Sequence, residues 1–257
     1  MAYAISFIRQ RSSKLFLIST TKNALSSFFL IIICIQACCA SVTLVGTRVI
    51  YPSNKQSVSL NFRSSDNVPS VIDLWVSKSA LSSSQSSDSP FVITPSVFRI
   101  DPNKGQSTKL IYTGGDLPND RESVFYLNFV QLPASDKRAN KLLVTYKSTV
   151  KIFYRPENLK QSIDDIDSYL SVDISKINSG VLTVHNDSEF YVTPTQLNIE
   201  KNGRTVLNVP DSQLNMLPPF SHQDIKIKPL TGPSGIEPKI SIINDLGGVS
   251  TYKLSIK

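Results

Sequence analysis

The chain has 257 residues, and its 27 basic and 20 acidic residues give a formal net charge of +7. Residues 1–40 contain four basic residues and no acidic one, so the remaining chain carries 23 basic against 20 acidic residues, a net charge of +3. That charge is too balanced to indicate nucleic acid as a partner. All three cysteines also lie within residues 1–40, so the rest of the chain must be stabilised by core burial and not by disulfides.

The first 40 residues are typical of a signal peptide. Basic residues come first, an apolar run follows at residues 28–35 (FFLIIICI), and small residues precede Ser41. The run is shorter than the roughly 20 residues that a membrane helix needs. We therefore predict a signal peptide over residues 1–40; an uncleaved membrane anchor remains the alternative.

From Ser41 onward, short β-like runs are broken by Pro, Gly, Asn and Ser, which predicts an all-β protein. The first half contains seven predicted strands, at residues 42–51, 57–62, 71–76, 91–94, 108–112, 124–132 and 142–154. Seven short strands at this spacing favour an immunoglobulin-like β-sandwich, with the single tryptophan, Trp75, packed in its core.

Pro156 ends the last of these strands, because proline cannot continue a ladder, and it marks a predicted domain boundary. Seven further strands are predicted at residues 169–174, 180–185, 191–199, 205–209, 225–227, 239–243 and 251–256. Asn202 and Gly203 lie between two of them and indicate a two-residue hairpin. We therefore predict two immunoglobulin-like domains, at residues 41–156 and 157–257.

The segment 141–155 (KLLVTYKSTVKIFYR) is predicted to be one long strand with an apolar face. That face carries Leu142, Val144, Tyr146, Ser148, Val150, Ile152 and Tyr154. The segment is far longer than the usual strand of about five or six residues. We expect part of its ladder to pair with another chain.

Nothing in the sequence indicates an enzyme or a cofactor, and no metal is expected. The two histidines, His185 and His222, lie in predicted strands 37 residues apart and are interpreted as ordinary strand or surface residues. Asp164, Asp165 and Asp167 lack the glycine and terminal glutamate of a calcium loop and are interpreted as an acidic linker.

Five segments together resemble the PapD-like family of periplasmic pilus-assembly chaperones. They are residues 117–133 (LPNDRESVFYLNFVQLP), 47–51 (TRVIY), 94–99 (TPSVFR), 151–156 (KIFYRP) and 243–248 (INDLGG). The resemblance implies two immunoglobulin-like domains in a boomerang arrangement, a periplasmic location, pilus subunits as clients and an outer-membrane usher as partner. It also implies a self-capping homodimer when no client is bound.

The resemblance further implies a role for particular residues. A long strand of the chaperone completes the unfinished sandwich of a pilus subunit, a form of β-augmentation. The donated side chains would be Leu142, Val144 and Tyr146, followed by Ser148 and Val150. Ile152 and Tyr154 are expected to pack in the chaperone's own core.

Two further groups of residues match the family by position. Arg48 and Lys151 would bind the carboxylate at the C-terminus of the subunit, since both carry the donors that a carboxylate needs. Glu122, Arg155 and Asp245 would form salt bridges between the domains. The remaining alternative is a secreted adhesive or structural module with two immunoglobulin-like domains, whose long strand is entirely its own.

Overall fold

The computed structural model describes residues 41–81, 89–133, 145–232 and 234–257. The predicted signal peptide lies outside the described residues, as do Leu142, Val144 and most of a serine-rich stretch around residues 81–90. No helix within the described ranges is long and apolar enough to cross a membrane.

The first half of the described chain is a sandwich of two sheets. Its strands are β1 (Val42–Leu44), β2 (Arg48–Pro52), β3 (Val58–Ser64), β4 (Ser70–Ser77), β5 (Phe91–Thr94), β6 (Val97–Ile100), β7 (Gly105–Tyr112), β8 (Ser123–Pro133) and β9 (Tyr146–Arg155). One sheet has the order β1-β3-β7-β5, and the other has the order β2-β9-β8-β4-β6. Side chains alternate along these strands, so every second residue enters the space between the sheets.

The second half forms another sandwich. Its strands are β10 (Leu170–Asp173), β11 (Val181–Asn186), β12 (Pro194–Lys201), β13 (Arg204–Pro210), β14 (Ser221–Lys226), β15 (Ile236–Ile243), β16 (Val249–Lys253) and β17 (Ser255–Ile256). The sheets have the orders β14-β11-β10-β17 and β13-β12-β15-β16. Short 3-10 helices cover Ile163–Tyr169, Ile177–Ser179 and Asp211–Gln213. Each half has its own hydrophobic core, which confirms the prediction of an all-β protein with two immunoglobulin-like sandwiches.

An aromatic cluster fills one end of the first core. Tyr51 is completely buried; its ring lies 5.2 Å from that of Phe91 and 6.1 Å from that of Tyr154, measured between ring centres. Its hydroxyl donates to the carbonyl oxygen of Lys55 and accepts from the amide of Tyr112. Ile152 and Tyr154 belong to this core, which confirms their expected placement. The end of β9 is therefore held within its own domain.

Several strand boundaries differ from those predicted, and two predicted strands are each divided between two sheets. One of them is 251–256, which forms β16 and β17. The predicted strand 42–51 is two strands that belong to opposite sheets, separated by a turn in which Gly46 has a positive φ of 104°. That conformation is readily adopted only by glycine. Strand β6 was not predicted, because its four residues follow Pro95 closely and are too short for a clear alternation.

The environment of the tryptophan also differs from the prediction. Trp75 is only 8% exposed, yet Leu74 and Val76 on either side of it are the residues that enter the core. Trp75 thus lies on the outer face of β4, where the Lys147 ammonium is 5.5 Å from its ring centre. The tryptophan is buried, but it does not pack in the core between the sheets.

Two local predictions about the second half had different outcomes. Asn202 and Gly203 have φ values of 52° and 71° and join β12 to β13, with Lys201 opposite Arg204. The hairpin prediction is therefore confirmed. The acidic segment interpreted as a linker is instead part of the 3-10 helix Ile163–Tyr169, whose Ile166 is buried in the second core.

A fully buried asparagine ties the loops of the second sandwich together. The Asn186 side-chain amide donates to the carbonyl oxygens of Phe190 and Pro218, both at 2.8 Å. Its carbonyl oxygen accepts a hydrogen bond from the Ser188 hydroxyl at 2.6 Å. One side chain thus satisfies buried backbone groups from two separate segments.

We expect Asn186→Ala to destabilise the protein by about 2–3 kcal/mol, because buried carbonyl groups lose their donors. Urea unfolding followed by far-ultraviolet circular dichroism measures the change. The matched control is Asn208→Ala, whose amide hydrogen bond to Asn198 is exposed and whose loss should cost less than about 0.5 kcal/mol. Equal losses in the two variants would contradict the role given to Asn186.

Candidate functional site

The candidate site begins where β2 and β9 pair in parallel. Their register places Arg48 directly opposite Lys151 and continues to Pro52 opposite Arg155. On its other side, β9 pairs with β8 in antiparallel fashion from Tyr146 onward. Because β2 begins only at Arg48, no described strand pairs with the other edge of β9 over residues 148–150. A pair of cations therefore stands at the point where this edge becomes open.

Arg48 is held by contacts on both sides. Its Nη1 donates a hydrogen bond of 2.9 Å to the carbonyl oxygen of Ile243, and its guanidinium carbon lies 5.4 Å from the ring centre of Phe153. The buried Nε has no hydrogen-bond partner among the described residues. Burial lowers the pKa of Arg48, although Asp245 and Glu122 act in the opposite direction. The guanidinium is positioned, partly desolvated and still has donors for an anion.

Lys151 is the second cation of the pair. Within the described ranges its ammonium makes no ion pair and no side-chain hydrogen bond. Burial, and to a lesser extent the charge of Arg48, lowers the pKa of Lys151. Arg48 and Lys151 carry like charges, repel each other and are partly removed from water. A carboxylate bound between them would offset both the repulsion and the loss of hydration.

A second ionic group links the two sandwiches. The Arg155 Nε donates to the Glu122 Oε1 at 2.7 Å, and its Nη1 donates to the Asp245 Oδ2 at 2.7 Å. Glu122 Oε2 also accepts the backbone N–H of Tyr191 at 2.8 Å. Burial raises the pKa of Glu122, while Arg155 and the Tyr191 amide lower it and only partly compensate. The structure thus brings together the three residues that the sequence resemblance grouped.

Sequence reasoning did not find several contacts around this ionic group. The Phe153 ring lies 5.9 Å from that of Tyr191. Gly247 has a φ of +82°, and a β-carbon there would collide with the side chain of Thr47. Both contacts join residues of the two sandwiches, and neither alternation nor spacing identifies residues so distant in the chain. In the sequence, these contacts were indicated only by the family resemblance of segments 47–51 and 243–248.

A cavity of about 290 Å³ lies beside Arg48. Its wall includes Tyr191, Val192, Ile242, Asn244 and Asp245. Apolar side chains and backbone from the second sandwich thus meet the guanidinium of the first. Arg48, but not Lys151, therefore borders a recess large enough for an amino-acid side chain.

Three of the five predicted donor residues lie within the described ranges. Tyr146 is 67% exposed, Ser148 is half-buried, and Val150 is half-buried against the first core. Exposure thus increases along β9 away from Lys151. Leu142 and Val144 belong to the same alternation but fall outside the described residues.

The two histidines are neighbours in space. His185 on β11 lies directly opposite His222 on β14, and their ring centres are 5.5 Å apart. Sequence reasoning treated them as unrelated because 37 residues separate them in the chain. Only the pairing of the two strands brings them together.

The fold and the site define a protein with two immunoglobulin-like domains and a basic pair at the junction between them. The family model described as "Pili and flagellar-assembly chaperone, PapD N-terminal domain" matches residues 41–160. The model described as "Pili assembly chaperone PapD, C-terminal domain" matches residues 167–254. The chain therefore belongs to the PapD-like family of pilus-assembly chaperones, which confirms the resemblance; chaperoning is not an enzymatic reaction.

Two related proteins agree with this assignment. The chain is 31% identical over 225 residues to the chaperone protein FimB/FhaD of Bordetella pertussis, covering 84% of this chain and 88% of the relative. It is 32% identical over 218 residues to the probable fimbrial chaperone YadV of Escherichia coli, covering 81% and 87%.

Solved structures show the same similarity. The crystal structure of the YadV chaperone superposes with a TM-score of 0.67 at 30% identity, covering 83% of this chain and 99% of that chain. The SafB chaperone of Salmonella enterica, solved in complex with the SafA pilin, gives a TM-score of 0.66 at 25% identity, covering 84% and 96%.

We expect Arg155→Ala to destabilise the protein by about 3 kcal/mol, because it leaves the buried Glu122 carboxylate without its ionic partner. Thermal unfolding and urea unfolding of the purified protein measure the loss. The control is Arg99→Ala, whose ion pair with Asp101 is exposed on both sides and should contribute less than about 1 kcal/mol. A loss for Arg155→Ala no greater than that of the control would show that the ionic group contributes little to stability.

Proposed function

We propose that this chain is a periplasmic chaperone that completes the unfinished immunoglobulin-like fold of a pilus subunit with its own strand and delivers the subunit to an outer-membrane usher. The observation that carries the proposal is the position of the Arg48 and Lys151 pair at the start of the open edge of β9. Strand β9 thus carries a cation that can bind a carboxylate and, next to it, an open edge with which another strand can pair.

The open edge supports donation to a client. Unpaired N–H and C=O groups on a sheet edge are a template for another strand. Edges of this kind are used in β-augmentation, including the complementation of pilins by chaperones. The edge is flanked by exposed and half-buried side chains at Tyr146, Ser148 and Val150. Leu142 and Val144 continue the same alternation and complete the proposed donor set.

The basic pair supports recognition of a chain terminus. A carboxylate can accept hydrogen bonds from the N–H groups of Arg48 that have no other partner, while Lys151 adds a compact positive charge. Burial destabilises the charged forms of Arg48 and Lys151, and binding of a carboxylate would stabilise them again. Since the pair lies at the end of the open edge, anchoring the client's C-terminus there would also set the register of the added strand.

Glu122, Arg155 and Asp245 have a supporting role in this proposal. They connect the two domains by hydrogen-bonded ion pairs. The backbone oxygen that orients Arg48 belongs to Ile243, two residues from Asp245. We propose that the ionic group keeps the second domain in place so that the guanidinium of Arg48 faces the client.

Client release needs no nucleotide in this mechanism. A subunit's N-terminal extension would replace the chaperone strand at the usher, exchanging one β-augmentation for a better-packed one. Without a client, the open edges of two chaperone copies would cap each other as a homodimer, since an exposed edge favours pairing.

We expect the double variant Arg48→Ala, Lys151→Ala to lose about 2–5 kcal/mol of binding free energy toward a pilin encoded beside this gene, because the carboxylate loses its charged partners. Co-expression followed by pull-down and calorimetry measures the change. The matched control is Lys109→Ala, an exposed lysine on β7. Unchanged pilin yield with the double variant would refute the anchor.

A separate variant tests the donated strand. We expect Tyr146→Ser to weaken pilin binding roughly ten- to a hundredfold, as the removal of about 1.5–3 kcal/mol of apolar burial would. The fold should be unaffected, because Tyr146 is 67% exposed in the free protein. Val206→Ser, at a 42% exposed position on β13, should bind as the unmodified protein does. If Tyr146→Ser bound equally well, this residue would not contact the client.

A further inference from the structure

A row of polar side chains crosses one face of the sheet β14-β11-β10-β17. The strand registers place His222 opposite His185, and His185 opposite Ser171. Directly opposed residues in antiparallel strands project on the same side of the sheet. Both histidines therefore lie side by side on the outer face of this sheet. Val184 and Ile225, which alternate with them, are buried in the core on the opposite face.

We propose that His185 and His222 form a two-imidazole site for a divalent transition-metal ion of the Cu²⁺ or Zn²⁺ type. Neutral imidazole is a preferred ligand of these ions. Metal–nitrogen bonds are about 2.0–2.1 Å long, so each ring centre lies about 3 Å from a shared ion and two rings at a tetrahedral angle have centres about 5 Å apart. The observed separation of the two ring centres is 5.5 Å. Small side-chain rotations therefore suffice for chelation.

The surroundings of the pair suit a metal site. Asp173 lies close enough to His185 to interact electrostatically, and a carboxylate near a ligating imidazole favours the metal-bound form. Asp224, on the same face of β14, accepts a hydrogen bond from Thr183 at 2.6 Å. The negative charges of Asp173 and Asp224 attract a cation to this face of the sheet.

Ser171 provides an independent observation. Its side chain is 3% exposed, and its Oγ has no hydrogen-bond partner among the described residues. Buried hydroxyl groups are normally satisfied. Since Ser171 stands next to His185 in the row, its hydroxyl is placed to bind a water molecule that completes the coordination of the ion.

The number of ligands sets the expected selectivity. No group of three or more His, Cys, Asp or Glu side chains in the described parts of the chain is arranged to hold a metal, so the protein supplies two nitrogens and water supplies the rest. The affinity of the site should increase from Zn²⁺ to Ni²⁺ to Cu²⁺. Mg²⁺ and Ca²⁺ should not bind there, because they require oxygen ligands.

Calorimetric titration of residues 41–257 with CuCl₂, without a polyhistidine tag, tests the proposal. We expect one equivalent to bind, with affinity at least tenfold weaker in His185→Asn and in His222→Asn and no site-specific binding in the double variant. Asp116→Asn, at an exposed carboxylate of the first sandwich, should stay within threefold of the unmodified protein.

Nuclear magnetic resonance of the unmodified protein gives a second readout that requires no variant to fold. The chain has only two histidines, so its imidazole proton signals are few. Substoichiometric Cu²⁺ should broaden both imidazoles together, whereas MgCl₂ should leave them unchanged. Equal copper affinity in the double variant would assign the binding to another part of the chain, and the absence of broadening at either histidine would overturn the proposal.

Discussion

The parallel pairing of β2 with β9 is the interaction on which the site depends. It begins at Arg48 and Lys151 and extends only toward Arg155, because the chain before Arg48 turns at Gly46 and enters the opposite sheet as β1. The pairing thus has two effects at once. It brings two cations side by side, and among the described strands it leaves only β8 paired with the preceding part of β9. A longer β2 would close the edge and separate the cations from it.

Ionic contacts then connect this edge to the second sandwich. Arg155 closes the β2–β9 ladder and bonds to both Glu122 and Asp245. Burying the Glu122 carboxylate is costly, and Arg155 together with the Tyr191 amide offsets that cost. Buried ion pairs often add little net stability compared with apolar residues of similar volume. Ile243, whose carbonyl oxygen accepts a hydrogen bond from Arg48, lies two residues from Asp245, so the ion pairs and the Arg48 contact join the same parts of the two sandwiches.

The two pairs of titratable residues illustrate opposite uses of a sheet. Arg48 and Lys151 are like charges kept adjacent and partly buried by strand pairing, an arrangement that suits an anion. His185 and His222 are also adjacent through strand pairing, but an imidazole nitrogen can offer a lone pair, an arrangement that suits a metal cation. Cross-strand neighbours interact strongly whatever their separation in sequence.

Much of this protein follows from its sequence alone. Alternating apolar residues determined the all-β class, and Asn202 and Gly203 determined a hairpin. The expectation that Ile152 and Tyr154 enter the core was also correct. These features depend on neighbours along the chain, where a period of two or a turn conformation is already decisive. Only the tertiary structure decided that residues 42–51 divide between two sheets, that Trp75 lies outside the core, and that His185 meets His222. Those outcomes depend on which strands pair and on which face is covered, and long-range packing sets both.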